Sequence, residues 1–196
     1  MVRWYHAIFT AYGFWLPNDP RGSWSTFVGS WELYKFGPAT KTNQRCSLAH
    51  EPHNVNERLA AKKALKYSPV RFDACQRDAI AAGIGRACRE SEISVHACAI
   101  GHDHVHVVTA RHSKSIERVV GQFKGRAGQQ MCVSGCHPLQ CFAQPGGAPP
   151  TAWAEGCWSV YINDMPQLRE AIDYVRRHPM KEGLAAQQWD FVTPVD

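Results

Sequence analysis

The stretch Ile93-Ser94-Val95-His96-Ala97-Cys98-Ala99-Ile100-Gly101-His102-Asp103-His104-Val105-His106-Val107-Val108-Thr109-Ala110 decides the fold. Its first part, Ile93 to Ile100, reads as a strand. Gly101-His102 reads as a short turn, and Asp103 to Ala110 as the strand that returns, so the whole is a β-hairpin. Side chains two apart on a strand share a face. His104, His106 and Val108 therefore stand on one side of the returning arm, and Val105, Val107 and Thr109 on the other. Burying two imidazoles without partners is costly. At this spacing both can grip one metal ion.

Outward from the hairpin, the preceding segment reads as helical. Helical signals run from Asn56 to Lys66. A stronger set begins with Ser68 as N-cap and Pro69 at the first helical position and continues through Ile80, Ile84, Ala87 and Cys88. After the hairpin, a helix starting near Ser115 carries Ile116, Val119, Val120, Phe123 and Ala127 at helical spacing. Val2 to Thr10 alternates Val2, Trp4, His6, Ile8 against Arg3, Tyr5, Ala7, Phe9, the pattern of a first strand with two usable faces. Trp158 to Ile162 supplies a fourth strand. A last helix runs from about Met165 to His178, with Asp164 as N-cap and Leu168, Ala171, Ile172 and Val175 as its buried stripe.

Strand, helix, strand, strand, helix, strand is the ferredoxin-like βαββαβ order of an α+β domain, here with a further helix at the end. Two Gly/Pro-rich segments, about 13–53 and 133–156, read as long insertions into one domain spanning 1–196. The first carries turn chemistry at Leu16-Pro17-Asn18-Asp19-Pro20-Arg21-Gly22-Ser23, and a loop of that length is usually functional.

A chain of 196 residues can build one proper core, and a formal charge of +5 mildly favours a polyanionic partner. No apolar run approaches the roughly 20 residues needed to span a bilayer, and the opening residues lack a secretory h-region. The expectation is a cytoplasmic, non-membrane protein with reduced thiols. Of eight cysteines, Cys75, Cys88 and Cys98 read as small buried hydrophobes. Cys132, Cys136, His137 and Cys141 read either as free loop residues or as a small zinc site, although their spacings are not those of common zinc fingers.

The last helix adds the reactive group. Residues four apart on a helix are neighbours on one face, so Tyr174 and His178 form a unit at the edge of the buried stripe. A core-edge tyrosine and a histidine at a helix C-terminus each have ordinary explanations. Neither explains why the two are stacked. Together they can bring a nucleophile and a third ligand to an ion held by His104 and His106.

These residues resemble the HUH single-tyrosine transposases, specifically the REP-associated tyrosine transposases. The resemblance lies in Ile100-Gly101-His102-Asp103-His104-Val105-His106-Val107-Val108, in Asp173-Tyr174-Val175-Arg176-Arg177-His178-Pro179-Met180-Lys181-Glu182-Gly183-Leu184, in Trp158 upstream, and in the early Tyr12-Gly13-Phe14-Trp15-Leu16-Pro17 segment. It implies a bacterial enzyme of DNA transposition and recombination that cuts and rejoins single-stranded DNA at a stem-loop. Tyr174 would be the nucleophile and form a 5′-phosphotyrosine. A divalent metal, Mg²⁺ or Mn²⁺, would sit on His104, His106 and His178, in a monomer or homodimer. One departure matters. Relatives often carry Asn or Gln four residues after the tyrosine, where this chain has His178, and imidazole shifts preference from Mg²⁺ towards Mn²⁺ or softer ions.

For DNA, the candidate contacts are Arg21, Lys114, Arg118, Lys124, Arg126 and Arg177, with Arg176 and Lys181 also around the tyrosine; the alternative for each is an ordinary solvated charge. Trp15, Trp24, Phe27 and Trp31 either stack on unpaired bases or pack the first insertion. Two other readings compete. Histidine-triad nucleotide hydrolases share the His-x-His-x run but expect an apolar residue where Asp103 stands, and give Tyr174 and His178 no role. A domesticated DNA-binding protein without turnover would keep the fold and lose the chemistry.

Overall fold

The computed structural model describes residues 2–14, 16, 31–37 and 54–195. Within it the hairpin forms as expected. Strands β2 (Val95–Ile100) and β3 (His104–Ala110) pair antiparallel, with Ala99 opposite His106 and Ile100 opposite Val105. The turn between them is held from several sides. Gly101 N donates to His104 O at 2.8 Å, Phe72 N to His102 O at 2.6 Å, and Ala11 N to Asp103 O at 2.7 Å.

Strand β1 (Trp4–Thr10) lies against β3, placing Thr10 opposite His104 and Ile8 opposite His106. Strand β4 (Trp158–Ile162) pairs with the other edge of β1. The sheet order β2-β3-β1-β4, antiparallel throughout, is that of the ferredoxin-like α+β fold. Two short helices, α1 (Trp31–Tyr34) and α2 (Val55–Lys63), precede the first long crossover helix, α3 (Ala74–Ser91). Helix α4 (Ile116–Val133) makes the second crossover and α5 (Met165–Lys181) follows β4.

The sheet has two unlike faces. On one, Phe9, Val105 and Val107 meet Ile80 and Ile84 of α3 and Phe123 of α4 in the main core. Gly83 lets α3 and α4 approach closely: a Cβ there would stand 2.5–2.6 Å from backbone atoms of Arg126 and Ala127. On the other face, α5 lays Leu168, Ile172 and Val175 over Ala97, Ala99, Val108 and Ile162. The strand histidines project towards α5. Asp164 caps that helix as expected, accepting from Gln167 N at 2.9 Å.

Three expectations need correction. Helix α3 does not begin at Ser68-Pro69. Residues 68–73 are not helical; Val70 N donates to Tyr12 O, and Val70 and Phe72 are buried. Asp73 and Gln76 form a full capping box that starts the helix instead. Helix α5 continues through Pro179 to Lys181 rather than stopping at His178. Proline lacks one backbone donor, but near a helix end only one or two carbonyls lose a partner. Cys75 is exposed, at the start of α3, whereas Cys88 and Cys98 are buried.

Most of the first insertion lies outside the described residues. The second is irregular apart from a short 3-10 turn at Gln140–Phe142. It still contributes to the core through Leu139, Ala152 and Trp153. Trp153 Nε1 donates to Lys124 O at 3.1 Å. After α5 the chain returns along the β2 edge. Gln187 donates to Ile100 O and accepts from Ile100 N, both at 2.8 Å, and Thr193 N donates to Val95 O at 2.8 Å. No helix among the described residues is long and apolar enough to cross a membrane.

Candidate active site

The face of the sheet under α5 holds the histidines. His104 and His106 rise from β3, and His178 descends from α5 to meet both. One ligand nitrogen from each lies within 4.8 Å of the others. His104 Nε2 and His178 Nε2 are 2.7 Å apart. The His106 and His178 ring centroids are 4.1 Å apart. His106 is only 3% exposed.

Burial, with the neighbouring imidazoles, holds His106 well below the usual histidine range, and burial followed by His104 lowers His178. Both are therefore neutral at pH 7. Uncharged imidazoles converging on one point form a donor set that fits a divalent transition-metal cation. His178 Nδ1 and Thr10 Oγ1 are buried with no hydrogen-bond partner among the described residues.

Carboxylates flank the cluster. His104 Nδ1 donates to Asp103 Oδ1 at 2.7 Å, which leaves Nε2 as its free ligand atom. Glu182 lies one turn beyond His178. Its Oε1 is 3.7 Å from His104 Nδ1 and 3.8 Å from His178 Nε2, and its Oε2 accepts from His102 N at 3.4 Å. A Cβ on Gly101 would collide with that carboxylate, so glycine in the turn is what admits it.

Tyr174 stands beside the histidines in the same chain. Its ring centroid is 5.6 Å from His106, 5.7 Å from His178 and 5.9 Å from His6. The residue is 43% exposed, so an incoming molecule can reach it. Burial of the hydroxyl and then the Glu182 charge raise its pKa, so the phenol rests protonated. Lys181 Nζ lies 4.8 Å from the ring centroid, close enough for a cation–π contact.

Sequence reasoning missed two members of this group. His6 on β1 has Nε2 3.0 Å from His106 Nδ1, and burial followed by His178 pushes its pKa down to about 4. The alternation Val2, Trp4, His6, Ile8 had already placed it on one face. Glu182 follows His178 by four residues, the same helical spacing that links Tyr174 to His178.

The expected DNA contacts divide. Arg177 is exposed on α5, three residues on from Tyr174, whereas Arg176, also exposed, lines a cleft with Pro194 and Val195. Lys114, Arg118, Lys124 and Arg126 belong to the α3/α4 layer, on the far side of the sheet from the histidines. Lys114 Nζ reaches Ser91 Oγ at 3.4 Å, and Arg126 is bound to Glu90 at 2.6 Å. Lys124 is an internal strut: its Nζ donates to Ala154 O at 2.7 Å and to Gly156 O, and burial lowers its pKa to about 8. Arg21, Trp15, Trp24 and Phe27, and the Trp31 side chain, lie outside the described residues.

Cys132, Cys136, His137 and Cys141 do not converge as a metal site. Among the described residues the converging ligand groups are the three histidines and the set Asp103, His104 and Glu182. His137 instead turns its Nδ1 to Leu139 N, at 3.3 Å.

The histidines give the metal-free protein an acid liability. His6, His106 and His178 bind protons more readily unfolded than folded, so their contribution to stability is complete above the unfolded histidine pKa of about 6.5 and is lost as pH falls towards their lowered values. From pH 7 to pH 5, His6 alone is expected to cost roughly 2 kcal/mol. Urea titrations at the two pH values check this, and equal midpoints would refute it.

No protein-family model matches the chain, and no curated protein matches it in sequence. Among solved structures, several resemble it in shape. One is a REP-associated tyrosine transposase bound to a REP hairpin, with a TM-score of 0.48, 11% identity, and coverage of 97% of this chain and 74% of that one. Another is a Deinococcus radiodurans protein designated a transposase, with a TM-score of 0.40, 11% identity and 95% coverage of both chains.

Proposed function

We propose that this chain is a metal-dependent endonuclease and strand transferase for single-stranded DNA, a transposase-type enzyme in which Tyr174 forms a 5′-phosphotyrosine. One observation carries the reading: an accessible tyrosine lies within 6 Å, ring to ring, of two imidazoles that belong to a three-histidine cluster. A histidine-triad hydrolase needs neither Tyr174 nor His178, and both are at the centre of this arrangement.

His104, His106 and His178 would hold the divalent ion, with Asp103 orienting His104. When bound, the ion supplies positive charge against the extra charge that builds on phosphoryl oxygens during displacement. The reacting group belongs to the chain. The Tyr174 oxygen gives its proton to solvent and attacks phosphorus, forming a Tyr–O–P bond as the bond to the 3′-oxygen breaks. The departing oxygen takes up a proton as a 3′-hydroxyl. Lys181, over the ring, brings a positive charge to the side of the site where phosphate would arrive. Because a phenol with a pKa near 10 is a better leaving group than an alcohol, another 3′-hydroxyl can reverse the reaction and join a new strand without an added energy source. Arg177 and Lys181, three and seven residues on from Tyr174 and so on its side of the helix, suit a phosphate backbone, so binding should weaken with salt by a log–log slope of about −0.7 per contact.

The test is a labelled single-stranded hairpin incubated with the protein and Mn²⁺ or Mg²⁺. The expected product is a denaturant-resistant protein–DNA adduct mapping to Tyr174 by mass spectrometry. A phosphohistidine would support the hydrolase reading instead, and hairpin binding without any adduct would support a non-catalytic binding protein.

A further inference from the structure

We propose that His6 is a positioning residue for the metal ligand His106, fixing which of its two ring nitrogens is free to coordinate. The inference rests on the metal reading above and extends it to a residue that cannot itself be counted among the converging ligands.

The argument begins with the two nitrogens of each strand histidine. A metal-bound imidazole coordinates through one nitrogen and carries a proton on the other, and whatever accepts that proton sets the ring's tautomer and orientation. For His104 the acceptor is the Asp103 carboxylate. His106 lies deeper, and its Nδ1 meets His6 Nε2 at 3.0 Å. The two rings are stacked, with centroids 5.2 Å apart and planes inclined by 29°. One proton occupies that contact. With it on His106 Nδ1 and His6 Nε2 accepting, the His106 Nε2 lone pair is the one left for the ion. Both strand histidines are then gripped at Nδ1 and present Nε2, one through a carboxylate and the other through a second imidazole.

The strand geometry explains why β1 supplies the acceptor. Ile8 is the direct partner of His106, and His6 is the partner of Val108, so His6 reaches His106 on the diagonal of the same sheet face. An imidazole there orients its neighbour without adding negative charge to the deepest part of the site. Its ring also neighbours Tyr174, with centroids 5.9 Å apart.

A purely space-filling histidine and a positioning one respond oppositely to substitution. His6→Phe keeps an aromatic ring and removes the acceptor. His6→Gln keeps an acceptor at similar reach and loses the ring. Mn²⁺ affinity by calorimetry, with no DNA present, should fall 10- to 100-fold in His6→Phe, the range for losing an orienting partner, and stay within a few-fold of wild type in His6→Gln. The visible spectrum of bound Co²⁺ should change in the Phe variant and be restored in the Gln variant. Unchanged affinity in His6→Phe, or a Gln variant weaker than the Phe variant, overturns the inference while wild-type binding leaves the metal reading standing. Wild-type protein that binds neither ion overturns both. An NMR assignment of the His106 tautomer in metal-free wild-type protein adds a measurement independent of any variant. A proton on Nδ1 is expected, and a proton on Nε2 refutes the proposal.

Discussion

Tyr174→Phe is expected to abolish the covalent DNA adduct and reduce cleavage by roughly 10³-fold or more, the scale on which removal of a reacting nucleophile acts. The ring stays, with its contacts to His6, His106 and His178, and only the oxygen goes. Because the residue is nearly half exposed, the change in folding stability should stay within about 0.5 kcal/mol. Metal affinity should not move, since the tyrosine is not among the converging ligands. The readouts are a denaturing gel for the adduct, calorimetry for the ion and thermal unfolding for the fold. An undiminished adduct in this variant would assign the nucleophile elsewhere. A lost adduct accompanied by lost metal binding would show that the tyrosine supports the site rather than reacting in it.

The second large effect is expected from the strand histidines. His104→Ala and His106→Ala should each eliminate metal-dependent cleavage, yet differ in their cost to the fold. His104 sits nearer the rim, with a side chain 16% exposed, whereas His106 fills the sheet centre. Truncating His106 leaves a cavity and deprives His6 of its partner, a loss of about 2–4 kcal/mol on the scale of large-to-small core substitutions. Metal response separates these effects. An ion at 100 times its dissociation constant stabilises a protein by about 2.7 kcal/mol, so wild type should show a clear rise in Tm with Mn²⁺. Both variants should show almost none. A full thermal shift in either would remove that histidine from the ligand set.

The hairpin and the four-strand order were legible because they depend on local signals that tertiary packing did not override. Alternation fixed which residues of β3 share a face, and the helical spacing of Ile116, Val119, Val120 and Phe123 fixed α4. The start of α3 was misplaced because Ser68-Pro69 carries a genuine helix-start signal. What defeats it is non-local, since Val70 is bonded to Tyr12, just past β1, and Phe72 to the hairpin turn. The site was half legible. His104 with His106, and Tyr174 with His178, are pairs within single elements, and periodicity finds such pairs. His6 is one hundred residues from His106 in sequence and close to it only through the β1–β3 register, which no local pattern encodes. The cations of α4 stand across the sheet from the histidines, which sequence does not reveal for a related reason: proximity to β3 in the chain does not say which face the crossover helix will cover.

The return of α5 onto its own sheet, secured by the Glu182 contact to the hairpin turn and by Gln187 along β2, has a consequence for stoichiometry. On the proposed reading, one polypeptide owns a whole cutting tool and can keep hold of one severed end at a time. Exchanging two ends then requires a second molecule alongside the first, or the same tyrosine working twice in succession.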